Sequence, residues 1–378
     1  MGSGRAIWVD QLSTGELSAL DPGVPERLDR RPDVLVVGGG ILGVATAVAC
    51  RDAEVGSVLL IESRHLGSGA TGGAAGLLVP EAHQGTDPDA LANLARASFA
   101  RWRDLEVTLA GGVGFADLDW LGLAPHPDGF LNHPSPAAEW LSAAEVAQLL
   151  PDLAQPVQGV RIRHQGRVNP LRALSRLAAQ VPQIATGVTA TAVKVRGGRV
   201  LTVSSSAGVI APGTVVFATG LPPDLDGLGL QVPASLVKGH LVVTEPVPVV
   251  LPGSVAPVAT QLEDGRLLAG GTLDADDPTT GVSAEVTDRI RAGLATAFPG
   301  LRHVRLTHRW CCWRPRHPDG LPVIDRIPGL GNAWITSGHY RTGILLGPAT
   351  GSMLAQWIAT GNRPANAAPW TIQREFSS

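Results

Sequence analysis

Cysteine, lysine and tyrosine are all scarce in this chain, and each scarcity narrows what the protein can be. Three cysteines in 378 residues cannot build a disulfide framework, and no Cys-x-x-Cys pair is present for a structural zinc site. Cys311 and Cys312 are adjacent, a poor arrangement for an ordinary disulfide, so a reducing compartment is expected. Lysine occurs only at Lys194 and Lys238, so almost all of the 30 basic residues are arginine, which reads as a compositional bias. Tyr340 is the single tyrosine. No apolar run reaches the roughly 18 residues of a spanning helix. Asp10, Glu16, Asp21 and Glu26 interrupt the first 30 residues, which therefore lack the apolar core of a signal peptide. A soluble, cytoplasmic protein with no membrane partner is expected. The net charge of -3 supplies no footprint for nucleic acid. The ten histidines include no HExxH and no close cluster, so no metal site is expected.

What is abundant is glycine, at 46 residues, and proline, at 30, both scattered among apolar runs rather than gathered in tracts. That pattern argues for an ordered chain long enough for two domains or one large one. Residues 1–31 are polar and punctuated, and read as a flexible extension. Val34–Val37 is a short buried strand, Val44–Cys50 an Ala-rich helix and Val58–Ile61 a second buried strand, together a βαβ unit. A helix is expected to start at Asp87-Pro88, a cap residue followed by proline, and others at 142–150 and about 284–298. Alternation across 184–203, around Gly197-Gly198, predicts a hairpin. Val215–Ala218 is another buried strand, and the last unit reads strand 333–336, Gly-rich turn, helix 343–360. Nucleotide-fold pieces therefore alternate with insertions.

Gly38-x-Gly40-x-x-Gly43 lies between the first strand and helix, with Glu62 at the end of the next strand. Glycines there permit a tight turn and close approach of backbone to a pyrophosphate, which the helix N-terminus attracts. Glu62 can accept from a ribose hydroxyl. Strand, helix and acid at this spacing point to a dinucleotide. A second loop, Gly67 to Gly76, is built only from small residues, and its pairing with the first favours a flavin over NAD.

These blocks carry a specific resemblance. DVLVVGGGILGVATAVAC, VLLIE and GSGATGGAAGLL resemble the opening of FAD-dependent amine oxidases of the D-amino-acid oxidase family, and TVVFATG resembles a later strand of its flavin domain. Trp313-Arg314-Pro315, Asp319 to Ile324 and Ser337 to Thr350 are most similar to the glycine oxidase branch. The resemblance implies an α/β fold: a Rossmann-like FAD-binding domain (32–80, 160–225 and 314–366) with an inserted α+β substrate domain on an antiparallel sheet (81–159 and 226–313). It implies FAD contacts at Gly38, Gly40, Ile41, Leu42, Gly43, Glu62 and Ser63, and in the second loop at Ala70, Thr71, Ala74, Ala75, Gly76 and Leu77. Thr219, Gly220, Gly338, Thr342, Gly343 and Ile344 complete the set, with Arg314 and Arg341 contributing to both cofactor and substrate.

The implied chemistry is oxidation of glycine, a small D-amino acid or an N-methyl amino acid, with hydride passing from the carbon next to nitrogen onto flavin N5. Imine, then oxo acid, and hydrogen peroxide from dioxygen would result. Arg314 matches the family's carboxylate-binding arginine, whose planar fork holds a carboxylate by two bonds. Tyr340, with His339, is expected to wall the pocket. The family's tyrosine on the inserted domain has no counterpart here; His240 is the candidate to replace it, the alternative being a substrate anchored differently. Cys311, three residues before Arg314, resembles the position where sarcosine oxidase relatives attach flavin through a thioether; the preferred reading is a small buried cysteine and non-covalent FAD. A dehydrogenase using another acceptor and a non-catalytic flavin-binding protein stay open as alternatives, as does assembly into a homo-oligomer.

Overall fold

The computed structural model describes residues 4–83, 87–124, 136–274, 277 and 279–376. Within the stretch expected to be a flexible extension, residues 7–20 are ordered by two short helices, α1 (Ile7–Asp10) and α2 (Thr14–Leu20), with Ile7 and Trp8 fully buried. A capping box starts α2, Ser13 accepting from the Glu16 amide while the Glu16 carboxylate accepts from the Ser13 amide.

The first sheet grows from β1 (Val34–Val37), buried at every position as a strand covered on both faces must be. Its parallel strands run in the order β7 (Gln183–Thr186), β2 (Val58–Glu62), β1, β11 (Thr214–Gly220), β18 (Ala333–Ser337), and β17 (Val323–Arg326) closes the β18 edge antiparallel. Alternation sorts the side chains. Val34, Val36 and Leu60 pack under the helices α3 (Ile41–Asp52), α7 (Pro170–Ala178) and α9 (Gly343–Thr360). Leu35, Val37, Leu59 and Ile61 face a small antiparallel sheet of β8 (Ala190–Arg196), β9 (Arg199–Ser205) and β10 (Gly208–Ile210). The hairpin expected over 184–203 is β8–β9, turning at Gly197-Gly198, whereas 183–186 joins the large sheet as β7.

The second sheet is mostly antiparallel, in the order β16 (Leu306–Arg316), β12 (Ser235–Thr244), β15 (Leu267–Gly270), β14 (Ala259–Gln261), β13 (Gly253–Ala256), β4 (Ala116–Leu123), β6 (Gly159–Arg167), β3 (Leu77–Leu78), with β5 (Ala138–Leu141) also on β6. Leu77–Leu78 and Gly159–Arg167 thus lie in this sheet, although the sequence groups 77–80 and 160–167 with the nucleotide-binding pieces. Helices α6 (Ala143–Leu149) and α8 (Ala284–Ala297) bury Val146 and Leu294 against Val242 and Leu267 of its strands. Helix α5 (Asp89–Thr108) has Pro88 at its N-cap, one residue beyond the expected cap Asp87, and Trp102 Nε1 ties it to the Ile344 and Leu345 carbonyls, both at 3.1 Å. Between the Gly69 N-cap and Ala74, the second glycine-rich loop makes a single helical turn, α4 (Ala70–Gly73). No helix among the described residues is long and apolar enough to cross a membrane.

Candidate active site

The carboxyl ends of β1, β2, β11 and β18 open onto a cavity of about 650 Å³, walled on its far side by residues of the second sheet. Gly38, Gly40, Ile41 and Leu42 line it where β1 turns into α3, and Glu62 and Ser63 where β2 ends. The α4 loop adds Ala70, Thr71, Ala74, Ala75 and Gly76, followed by Leu77 on β3. Thr219 and Gly220 come from the end of β11; Gly338, Thr342, Gly343 and Ile344 come from the β18–α9 turn. Three loops far apart in sequence therefore share one cavity. Gly43 does not line it. A Cβ there would lie 1.9 Å from the Gly38 carbonyl oxygen, so this glycine lets α3 start directly against β1.

The local hydrogen bonds show what a ligand would meet. Ile41 donates its amide to Thr71 Oγ1 at 3.0 Å, which leaves Leu42 and Gly43 as the remaining donors of the first turn of α3. Glu62 is held on the first loop: its Oε2 accepts from the Gly39 amide at 2.7 Å and its Oε1 from the Arg64 amide at 2.9 Å. Helix α9 has no side-chain N-cap, so its positive end is directed at the cavity through Gly343. The hydroxyl of Thr336, a buried cavity residue, has no hydrogen-bond partner among the described residues. An unpaired buried hydroxyl, exposed helix N-termini and glycine-lined walls fit a dinucleotide with a diphosphate and polar ring edges.

On the far wall stand Leu77, Trp120, Ala256 and Arg314, from β3, β4, β13 and β16. Arg314 donates from Nη1 to the Thr272 carbonyl at 2.8 Å, which fixes one arm of the guanidinium. Thr272 is itself held: its hydroxyl donates to Asp274 Oδ2 and accepts from the His240 amide at 2.8 Å. Tyr340 and Arg341 also line the cavity. Tyr340 has φ +47°, a left-handed conformation unusual for a non-glycine residue, and the guanidiniums of Arg316 (5.4 Å) and Arg341 (5.7 Å) both lie over its ring. Its amide donates to the Pro315 carbonyl at 2.9 Å, joining the α9 turn to the strand that carries Arg314. His339 is buried in the wall; burial, reinforced by nearby His317, pulls its pKa down to about 3, so the ring is neutral.

The expected site residue His240 lies elsewhere, and Cys311 is the small buried cysteine of the preferred reading. His240 does not line the cavity: it is on β12 opposite Cys311, its Nδ1 bonded to Asp274 at 2.7 Å and its Nε2 accepting from the Ser283 amide at 3.0 Å. Strand alternation puts neighbouring Gly239, not His240, on the Arg314 face. The same rule removes Cys311 as an anchor for flavin, since Arg314 and Cys311 are three residues apart on one strand and face opposite ways. Cys312 lines the cavity in its place, and burial pushes its thiol pKa up, keeping it protonated to donate to the Gly73 carbonyl at 3.3 Å. Trp120, Ala256, Thr272 and Thr336 carry no motif that would have marked them in the sequence, whereas the two-residue spacing from Arg314 does mark Cys312.

A parallel sheet with a dinucleotide cavity at its carboxyl edge, facing an antiparallel sheet that carries an arginine, defines a two-part flavoenzyme architecture. The chain matches the family model described as FAD dependent oxidoreductase over residues 33–357 and belongs to that family; it is an FAD-dependent oxidoreductase. It is 27% identical to glycine oxidase of Pseudomonas putida over 353 residues, 88% of this chain and 95% of that protein. Among solved structures, L-amino acid deaminase from Proteus vulgaris superposes with a TM-score of 0.82 at 18% identity, covering 96% of this chain and 98% of that one. Glycine oxidase from Geobacillus kaustophilus gives a TM-score of 0.77 at 25% identity, covering 92% and 99%.

Proposed function

We propose that this protein oxidises the C–N bond of a small amino acid: glycine, a D-amino acid or an N-methyl amino acid. The observation that carries this reading is Arg314, a guanidinium tethered by one arm on an otherwise apolar wall (Leu77, Trp120, Ala256) opposite the loops assigned to FAD. An α-carboxylate paired with that fork orients the α-carbon toward the cofactor side, and orientation of this kind lowers the barrier by pre-paying entropy. Bound FAD would supply a two-electron acceptor that takes hydride at N5. The chain's own residues bind and orient. Arg341 and Tyr340 close the cavity from the α9 turn, and neutral His339 adds no positive charge beside them. No side chain is required as a general base if the amine arrives neutral. Hydrolysis of the imine product gives an oxo acid, and dioxygen is the proposed acceptor, giving hydrogen peroxide.

The test is a peroxide-coupled screen of glycine, sarcosine, and D- and L-forms of alanine and proline, run beside anaerobic flavin bleaching. Peroxide formed in step with bleaching supports an oxidase. Bleaching without peroxide makes the protein a dehydrogenase, and bleaching by none of the amines overturns the reading.

A further inference from the structure

The α4 loop faces the cavity on one side and is held from behind by two tryptophans distant in sequence. Trp8 Nε1 donates to the Ala74 carbonyl at 2.8 Å, and Trp310 Nε1 donates to the preceding carbonyl, that of Gly73, at 3.0 Å. Both indoles are buried, and neither belongs to the cavity wall, whereas Ala74 does. The loop cannot shift toward its own support either. A Cβ on Gly73 would come within 2.3 Å of Cys312 Cβ, so the loop backbone already rests on β16.

Trp8 lies on a helix of four residues, far too short to be stable alone. Its position is fixed by tertiary contacts. Asn169 Nδ2 donates to the Trp8 carbonyl at 3.1 Å, and Leu66 donates to the Leu20 carbonyl at 2.8 Å. The buried Glu16 carboxylate pairs with Arg172 and Arg176 of α7, each at 3.2 Å. These contacts attach residues 7–20 to the two flanks of the loop, at Leu66 before it and α7 beyond it. The whole element lies outside the residues that match the family model, 33–357.

We infer that residues 7–20 are a clasp that holds the FAD loop in its binding shape, with Trp8 as a positioning residue for the cofactor. A loop of glycine and alanine loses much conformational entropy when ordered, and a ligand that must impose that order binds more weakly. Donation to the Ala74 carbonyl from behind supplies the order before FAD arrives. The inference rests on FAD as cofactor and is independent of which amine is oxidised.

The experiment uses the full-length FAD-loaded protein. Release of FAD on dilution, followed by the rise in flavin fluorescence, gives the off-rate and Kd for wild type and Trp8→Phe, which keeps an aromatic ring and removes the donor. Trp370→Phe, a buried tryptophan at the opposite end of the chain, is the control for general loss of packing. The clasp predicts a Kd raised about tenfold in Trp8→Phe, mainly through faster release, and unchanged in Trp370→Phe. A Kd within twofold of wild type in Trp8→Phe, with only a lower Tm, overturns it. If Trp8→Phe does not fold, Glu16→Gln, which loosens α2 from α7, must still raise Kd; a lowered Tm with unchanged Kd in that variant overturns the inference equally.

Discussion

Replacing Gly239 with alanine tests the placement of Arg314 without touching Arg314. Gly239 lies in β12 opposite Cys312. An added methyl would stand 2.1 Å from Arg314 Nη1 and 2.4 Å from the Thr272 carbonyl oxygen. The guanidinium is the end of a flexible side chain and yields readily, and at 2.4 Å the Thr272 carbonyl must also move away from the methyl. Arg314 must therefore give up its 2.8 Å bond to Thr272 and swing away from the position that orients the substrate. A hydrogen bond to a charged group contributes about 1.5–3 kcal/mol. At about 1.4 kcal/mol per decade, loss of that placement lowers kcat/KM by about 10- to 150-fold. Overpacking adds a stability cost of about 1–3 kcal/mol, read separately as a lower Tm. Gly239 does not line the cavity, so the flavin spectrum and FAD affinity should be those of wild type. The assay is anaerobic flavin reduction against substrate concentration. A Gly239→Ala protein that is folded, fully loaded with FAD and within twofold of wild-type kcat/KM would refute the role given to Arg314.

Three further outcomes follow from the geometry. Asp274→Asn weakens the acceptor shared by Thr272 and His240, and should raise KM several-fold while leaving FAD affinity unchanged, read by substrate titration and FAD release. His339 has its pKa lowered from 6.5 to about 3, so between those values the unfolded chain binds the proton and stability falls as pH drops; urea midpoints at pH 7 and 4.5 should show the fall, and His339→Asn should reduce it. Acid precipitation should leave the yellow colour in the supernatant for wild type and for Cys311→Ser alike, because the Cys311 side chain is directed away from the cavity; colour retained in the pellet would contradict that placement.

Much of the nucleotide-binding architecture was readable because its signals are local. Val34–Val37 and Val58–Ile61 are uninterrupted buried runs, and helix α9 has the expected ends, Gly343 and Thr360. The N-terminal helices were harder to see, being four and seven residues long with only Ile7, Trp8 and Leu20 to suggest a buried face. A signal did exist there: Ser13 and Glu16 have the spacing of a capping box. The exclusion of Cys311 was also within reach, since period-two alternation from Arg314 selects Cys312. His240 was not. Its face depends on the pairing of β12 with β16, set by contacts across a long sequence separation, and a one-residue change of register exchanges it with Gly239. The cavity walls from β4 and β13 are hidden for the same reason: Trp120 and Ala256 come to line one cavity with Arg314 only after the second sheet has assembled.

The claim that most needs testing is that Arg314 orients a small amino acid for oxidation. Anaerobic titration of wild-type and Arg314→Met protein with the best substrate, followed at the flavin absorbance, addresses it directly. The account predicts complete bleaching of the wild type, and a bleaching rate at least 100-fold lower in Arg314→Met with the FAD content unchanged. Equal bleaching rates in the two proteins would contradict it.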